Sequence, residues 1–262
     1  MASAGRERVW ARAFLAGGVL AMTQGDEGVA RPWLEQATIL GRAAADLRTT
    51  AHALNYLGMI ETSWGDPEQA AAHYEESLAL SRAEGDRLAI AFTLHQVGNL
   101  ATIQGDLARA ETRFAEALAI RRELGVGRDI GVSLECLGLV AAWRGEGARA
   151  MALGREAVAL LREEGDPRAS AESVEVLGSI IAGVAGQGEQ AARLVGAAAA
   201  VRELIGAPQA PDVRQEVEQM VAPAQEALGE RVWTAAFTAG KALSLEAAVA
   251  EALGEKPAPL AS

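Results

Sequence analysis

The histidines, the cysteine and the single Gly-Lys pair are the residues with the most obvious potential for chemistry. His52 and His95 fall on neighbouring predicted helices, but no third ligand stands at a spacing that a zinc site would need. Cys136 has no basic neighbour in sequence that would favour a reactive thiolate, so we expect it to pack as a small side chain. Gly240-Lys241 lacks the first glycine and the Ser or Thr of a phosphate-binding loop. Nucleophile-elbow, zincin and Cys-x-x-Cys motifs do not occur in the sequence, so we predict no enzymatic activity, no metal and no cofactor.

The composition of the 262-residue chain favours an all-helical protein. Hydrophobic residues make up 50% of the chain, but aromatic residues make up only 4%. Alanine, the strongest helix former, is abundant, whereas the β-branched and aromatic residues that sandwiches and barrels need are sparse.

The charge and the apolar pattern indicate where such a protein works. Its net charge of −11 is opposite to the basic footprint of a nucleic-acid-binding surface, so we expect no direct contact with nucleic acid. The sequence shows no secretory signal and no uncharged apolar run of about 18 residues, the length of a membrane span. We therefore expect a cytoplasmic protein that has no membrane contact.

A repeat of forty residues organises most of the chain. One glycine marks each repeat, a second glycine follows seven residues later and precedes an acidic residue, and a third glycine closes the later repeats. The first column is Gly18, Gly58, Gly98, Gly138 and Gly178; the second is Gly25, Gly65, Gly105 and Gly145; the third is Gly85, Gly125 and Gly165.

Each repeat has the pattern of two helices joined by a tight turn. In the second repeat, residues 50–64 carry apolar side chains at helical spacing. The run Gly65-Asp66-Pro67-Glu68 then combines a helix stop, an N-cap and a first-turn proline. Gly58 lacks a side chain where the two helices must approach, so we predict that the first glycine column has a packing role.

These residues resemble the tetratricopeptide repeat (TPR) signature, W-x2-L-G-x2-Y followed by A-x3-F. The second repeat reads Leu54-x2-Leu57-Gly58-x2-Glu61, then Ala70-x3-Tyr74. The Trp and Tyr positions hold other residues, and the period is forty rather than about thirty-four. This is similar to the long-repeat TPR class of bacterial transcriptional regulators and kinesin light chains. The resemblance implies an all-α fold, an α-solenoid of about five TPR-like hairpins over residues 6–206.

The remaining residues predict a helical cap. Prolines at 208 and 211 interrupt the repeat, so we expect helices within residues 207–253 to cover the last hairpin and residues 254–262 to form a disordered tail. Residues 192–253 also resemble the C-terminal end of large actinobacterial-type regulators, in which a STAND-type ATPase precedes a TPR array, often with a LuxR-type DNA-binding domain. Neither module is in this sequence, and the first repeat begins abruptly at Arg6. We therefore expect the TPR sensor end of such a regulator, as a fragment or a stand-alone relative.

The concave face of a TPR array, lined by the first helix of each hairpin, is the expected ligand groove. The groove positions of the family, carried onto this sequence, give His52, Asn55, Met59, Phe92, His95, Asn99, Glu135, Trp143, Glu172 and Glu175. Asparagine can bind a peptide main chain through its amide and its carbonyl, and aromatic residues and methionine supply anchoring area. The alternative, in which Phe92 and Trp143 pack inside the stack, stays open.

We predict a non-catalytic interaction module that binds a protein or peptide partner in this groove, as the sensor or regulatory arm of a bacterial signalling or transcriptional regulator. The three glutamates make the later half of the groove acidic, which favours a partner with a basic segment. Two alternatives remain: a small-molecule effector sensor with a closed pocket near Phe92, His95 and Trp143, and a self-association scaffold. The sequence leaves the oligomeric state open.

Overall fold

The computed structural model describes residues 2–184, 186–209 and 211–255, and the regular elements in these ranges are thirteen α-helices. The chain divides into two compact units, Met1–Leu124 and Gly125–Ser262. The first unit contains α1 (Ala2–Thr23), α2 (Glu27–Ala43), α3 (Leu47–Ser63), α4 (Pro67–Glu84), α5 (Arg87–Ile103) and α6 (Leu107–Leu124). The second contains α7 (Gly127–Trp143), α8 (Gly147–Glu164), α9 (Pro167–Ala182), α10 (Gly188–Ile205), α11 (Pro211–Leu228), α12 (Glu230–Lys241) and α13 (Leu245–Leu253).

Three helical hairpins, α1/α2, α3/α4 and α5/α6, form the first unit, and each hairpin packs on the next. Within each hairpin, a large buried side chain of the second helix lies against the first-column glycine of the first helix. A Cβ atom at Gly58 would lie 2.5 Å from a ring carbon of Tyr74, and one at Gly98 would lie 2.6 Å from Phe114. The predicted packing role of this glycine column is confirmed.

The turn inside the α3/α4 hairpin follows the sequence prediction. Gly65 has a φ of 77°, a left-handed conformation that glycine adopts without the steric cost of a side chain. Asp66 then caps α4, because its carboxylate accepts a hydrogen bond from the backbone N–H of Gln69. Successive hairpins are also joined by ion pairs: Arg48, near the start of α3, binds Asp86, the N-cap of α5, at 2.7 Å.

The second unit contains two further hairpins, α7/α8 and α9/α10, with α11–α13 packed against their helices. In the fourth repeat, Gly154 stands at the position that the large residues Tyr74 and Phe114 occupy in the second and third repeats. Ile180 of α9 fills this space, since its Cδ1 would lie 2.9 Å from a Cβ at Gly138 and 3.3 Å from one at Gly154. The all-α fold with five helical hairpins is thus confirmed.

The C-terminal helices pack closely on the last hairpin. A Cβ at Gly240 of α12 would overlap the backbone carbonyl of Arg193, so α10 and α12 cross at backbone contact distance. Trp233 is buried in the same core. The assignment of residues 207–253 as a separate capping domain stays a prediction. Most of the predicted tail, residues 256–262, lies outside the described residues, while Glu255 forms an ion pair with Arg162 at 2.9 Å.

Candidate functional site

Asn55, a candidate in the first unit, is not accessible to a ligand in this structure. Its side chain is only 2% exposed, and its Nδ2 donates a hydrogen bond to the Thr93 hydroxyl at 2.8 Å. The expectation that Asn55 presents its amide to a peptide is therefore corrected. The reason is that α5 places a hydroxyl within reach of the amide, so Asn55 joins α3 to α5.

The aromatic and polar candidates on α5 are half-buried. The ring of Phe92 packs on Tyr56 of α3 with 6.1 Å between the ring centroids. Asn99 donates to the side-chain oxygen of Gln96, one turn earlier on the same helix, at 2.9 Å. Phe92 is thus neither free on the surface nor enclosed in the stack, and Asn99 already uses one of its amide hydrogens.

The histidine and methionine candidates lie against the packed interior of the first unit. Burial lowers the pKa of His95 to about 4, with the nearby Arg121 acting in the same direction, so its imidazole is neutral at pH 7. Burial also lowers the pKa of His52. Met59 packs beside the cluster around Tyr74. Neutral, half-buried side chains of this kind can offer a ligand contact area and uncharged polar atoms, but no charge.

The acidic candidates of the second unit do come together. Glu135 of α7 and Glu172 and Glu175 of α9 line one cleft of about 360 Å³. Trp143, at the C-terminal end of α7, is 43% exposed and lies outside the residues that line this cleft.

Helix α11 closes the opposite side of the cleft with residues that the family positions did not include. The lining consists of Glu135 and Leu139 from α7, Arg168, Glu172, Glu175, Val176 and Ser179 from α9, Arg202 from α10, Ala207, Pro208 and Gln209, and Val213, Glu216, Val217 and Met220 from α11. The apolar spacing of Val213, Val217 and Met220 is visible in the sequence, where it predicts only a helix of the C-terminal cap. Sequence reasoning also missed Arg202 and Gln209.

Two of the three predicted acidic groups are neutralised by arginines. Arg168 binds Glu172 at 2.8 Å, one helical turn away. Arg202 binds Glu175 at 2.5 Å, and Gln209 donates to the same carboxylate oxygen at 2.7 Å. Glu175 is only 3% exposed, and burial raises its pKa while Arg202 opposes the rise. The expectation that Glu175 is an accessible groove carboxylate is therefore corrected: its charge holds Arg202.

Glu135 differs from its two acidic neighbours. Its Oε1 is buried and forms no hydrogen bond of good geometry with the described residues, and the hydroxyl of Ser173 close to it lacks one too. Burial raises its pKa to about 7; the charge of Glu172 adds to the rise, whereas Ser173 and Arg128 oppose it. A carboxyl group with this pKa exists in both protonation states near neutral pH. The cleft therefore combines apolar walls with one carboxyl group whose polar atom lacks a partner.

The described part of the chain contains neither a candidate metal site nor a candidate membrane-spanning helix. There, no group of three or more His, Cys, Asp and Glu side chains is placed to hold a metal ion. None of the helices described above is both long and apolar enough to cross a membrane.

Comparisons with known proteins agree with the repeat architecture. Residues 49–123 match the Tetratricopeptide repeat family. A search of curated proteins gave no significant match. Among solved structures, the apo form of RapI is similar with a TM-score of 0.70 at 15% identity, over 89% of this chain and 82% of that chain.

Two further structures are similar over most of their length. BtubC (BKLC) from P. vanneervenii has a TM-score of 0.54 at 18% identity, over 79% of this chain and 94% of that chain. The TPR-like repeats of a putative kinesin light chain from Podospora anserina have a TM-score of 0.59 at 16% identity, over 75% of this chain and 96% of that chain. At these identities the likeness concerns the fold alone. Together with the family match over residues 49–123, it supports an α-solenoid fold that contains tetratricopeptide repeats in this segment.

Proposed function

We propose that this protein is a non-catalytic TPR interaction module that binds a protein or peptide partner in the cleft between α7, α9 and α11. The observation that carries the proposal is the cleft itself, in which apolar side chains of three helices surround a partly buried carboxyl group. Its volume of about 360 Å³ lies in the range of ligand-binding clefts. A space of this size suits one or two side chains of a partner segment.

The charge of the cleft favours a partner with a basic segment. Four glutamates and two arginines line it. The two arginines are held by Glu172 and Glu175, which leaves Glu135 and the exposed Glu216 without a cation among the lining residues. A surplus of negative charge attracts a basic partner and disfavours an acidic one.

Our proposal for the larger regulatory system to which the module belongs rests on the sequence alone. The resemblance of residues 192–253 to the C-terminal end of bacterial regulators supports a role as the sensor or regulatory arm of a signalling or transcriptional regulator. A cytoplasmic location would follow from that role.

A small-molecule effector is the second candidate, and the same cleft favours it. The wall formed by α11 encloses a volume that a small ligand could fill. The sequence favours a different place for such a pocket, near Phe92, His95 and Trp143. None of these three residues lines the cleft described here.

Selection of peptides from a random display library on the full chain tests the proposal. The selected peptides are then measured against Val213→Lys, which adds positive charge at an exposed cleft residue, and against Leu204→Lys. Leu204 is also an exposed apolar residue, but it lies outside the cleft lining. We expect enrichment of peptides that combine a basic with an apolar residue, and a loss of affinity in Val213→Lys alone. No enrichment, or equal binding to all three proteins, would overturn the proposal.

A further inference from the structure

We infer that Glu135 recognises a single cation: a protonated amine or guanidinium group enters the cleft, binds the Glu135 carboxylate and displaces a proton from it. The inference rests on the proposed function for the location of the binding site, but not for the nature of the occupant. The cation could belong to a Lys or Arg side chain of a peptide or to a free amine.

The unpartnered oxygen of Glu135 is the first observation. Oε1 is buried yet forms no hydrogen bond of good geometry with the described residues, and the nearby Ser173 hydroxyl lacks one too, although buried polar atoms in proteins are nearly always bonded. Leaving such an atom without a partner is costly. Because Glu135 lines an open cleft, a ligand that carries an N–H donor can supply the missing hydrogen bond.

The arginines around Glu135 form the second observation, because each of them is bound to another carboxylate. Arg128, on the same helix, binds Asp166 at 3.2 Å. Arg168 and Arg202 bind Glu172 and Glu175, respectively. The charged and titratable groups that face or line this space are Arg128 and Glu135 from α7, Arg168, Glu172 and Glu175 from α9, Arg202 from α10 and Glu216 from α11. The cation that would balance Glu135 must therefore come from outside this set.

The apolar walls of the cleft indicate which kind of chemical group is attached to the cation. Leu139 and Val176 lie on one side of the cleft, and Val217 and Met220 lie on the side of α11. Such walls suit the methylene stem of a lysine, an arginine or an alkylamine, while the charged end reaches the carboxylate.

Proton exchange on binding follows from the protonation state of Glu135. Burial raises the pKa of Glu135 to about 7, so a fraction of the carboxyl groups is protonated at neutral pH. A bound cation favours the carboxylate, and the proton leaves to solvent: the acid and the protonated amine become an ion pair and a free proton. Affinity should therefore rise about tenfold between about pH 6 and about pH 8.

Isothermal titration calorimetry on the full chain tests the inference. The probes are a capped peptide from the selection that contains lysine, the same peptide with norleucine in place of lysine, and n-butylammonium with n-butanol as its neutral counterpart. Each titration is run at both pH values and in two buffers of different ionisation enthalpy, which counts the protons released. Glu135→Gln keeps the shape of the side chain, and Glu216→Gln removes an exposed carboxylate of the same cleft. Circular dichroism checks that both variants are folded.

We expect a charged probe to bind wild type about tenfold more tightly than its neutral counterpart, with proton release. Both effects should vanish in Glu135→Gln and persist in Glu216→Gln. Equal affinities for charged and neutral probes, or equal losses in the two variants, would overturn the inference. Peptide binding without a charge preference would leave the proposed function standing and refute this inference. Butylammonium binding with this signature, without any peptide binding, would support the inference and refute the peptide-binding function.

Discussion

Arg202 of α10 forms a buried ion pair with Glu175 of α9, with 2.5 Å between Nη1 and Oε2. Gln209, which precedes α11, donates to the same oxygen at 2.7 Å. One carboxylate thus joins both helices of the fifth hairpin to the segment that leads into α11. Since all three residues line the cleft, this contact fixes part of its wall.

Replacement of Arg202 by methionine should destabilise the protein strongly. The change would leave Glu175 buried without its cation, and breaking a buried pair in this way costs about 3–5 kcal/mol. The double variant Glu175→Gln with Arg202→Met removes both charges and should recover most of the loss. Urea denaturation of the two variants and wild type measures the free energies of unfolding. A single variant that is no less stable than the double variant would contradict this prediction.

Replacement of Gly58 by alanine should also destabilise the protein, because the new Cβ would lie 2.5 Å from Cε1 of the buried Tyr74 ring. Overpacking of this kind costs about 1–3 kcal/mol. Gly5→Ala is the matched control, since Gly5 is an exposed helical residue with no atom within 4 Å of a new Cβ. Alanine there should add about 0.5–1 kcal/mol through helix propensity. Thermal denaturation of both variants distinguishes packing from propensity, and losses of equal size would refute the packing role.

The hairpin architecture could be predicted because the repeated residues act locally. Gly65 and Asp66 end one helix and start the next by backbone geometry and a cap, which depend on a few consecutive residues. The filling of the fourth repeat could not be predicted in this way. Ile180 enters the space beside Gly138 from the following hairpin, and a sequence column does not show which side chain crosses between helices.

The site was only partly predictable for the same reason. Family positions assign residues to a helix face, but their exposure depends on partners elsewhere in the fold. Asn55 is buried because Thr93 is within reach of its amide, and Glu175 is neutralised by Arg202, which is not a groove position of the family. Family positions place Glu135 and Glu172 in the same half of the groove, and both line the cleft, but the lack of a well-formed hydrogen bond at Glu135 is visible only in three dimensions.

Replacement of Ala45 by glycine should stabilise the first unit. Ala45 has a φ of 49°, and it is the one residue other than glycine with a positive φ in the described ranges. It occupies the third glycine column, forty residues before Gly85. Glycine avoids the strain of about 1 kcal/mol that a Cβ causes in this conformation, although a more flexible unfolded chain offsets part of the gain. Ala44→Gly is the control, because Ala44 has a φ of −88° and should only lose stability. Denaturant unfolding that ranks Ala45→Gly below wild type would contradict the expectation.

Replacement of Glu135 by glutamine should raise stability in a pH-dependent way. The pKa of Glu135 is raised from 4.5 to about 7 in the folded protein, chiefly by burial. At a pH below both values the carboxyl group is protonated in the folded and unfolded states, so it brings no penalty. Between about pH 4.5 and about pH 7 the unfolded chain loses the proton while the folded protein keeps it, so stability falls as the pH rises. Above this window the penalty is complete, on the order of 3 kcal/mol.

Glutamine does not ionise, so the stability of Glu135→Gln relative to wild type should grow across the same window and then level off. Urea denaturation at a series of pH values measures this difference, and Glu216→Gln provides the control with an exposed carboxylate. A difference that shrinks as the pH rises would mean that the folded protein itself stabilises Glu135 as a carboxylate. It would then already have a cationic partner, and neither the raised pKa nor the proton exchange on ligand binding would hold.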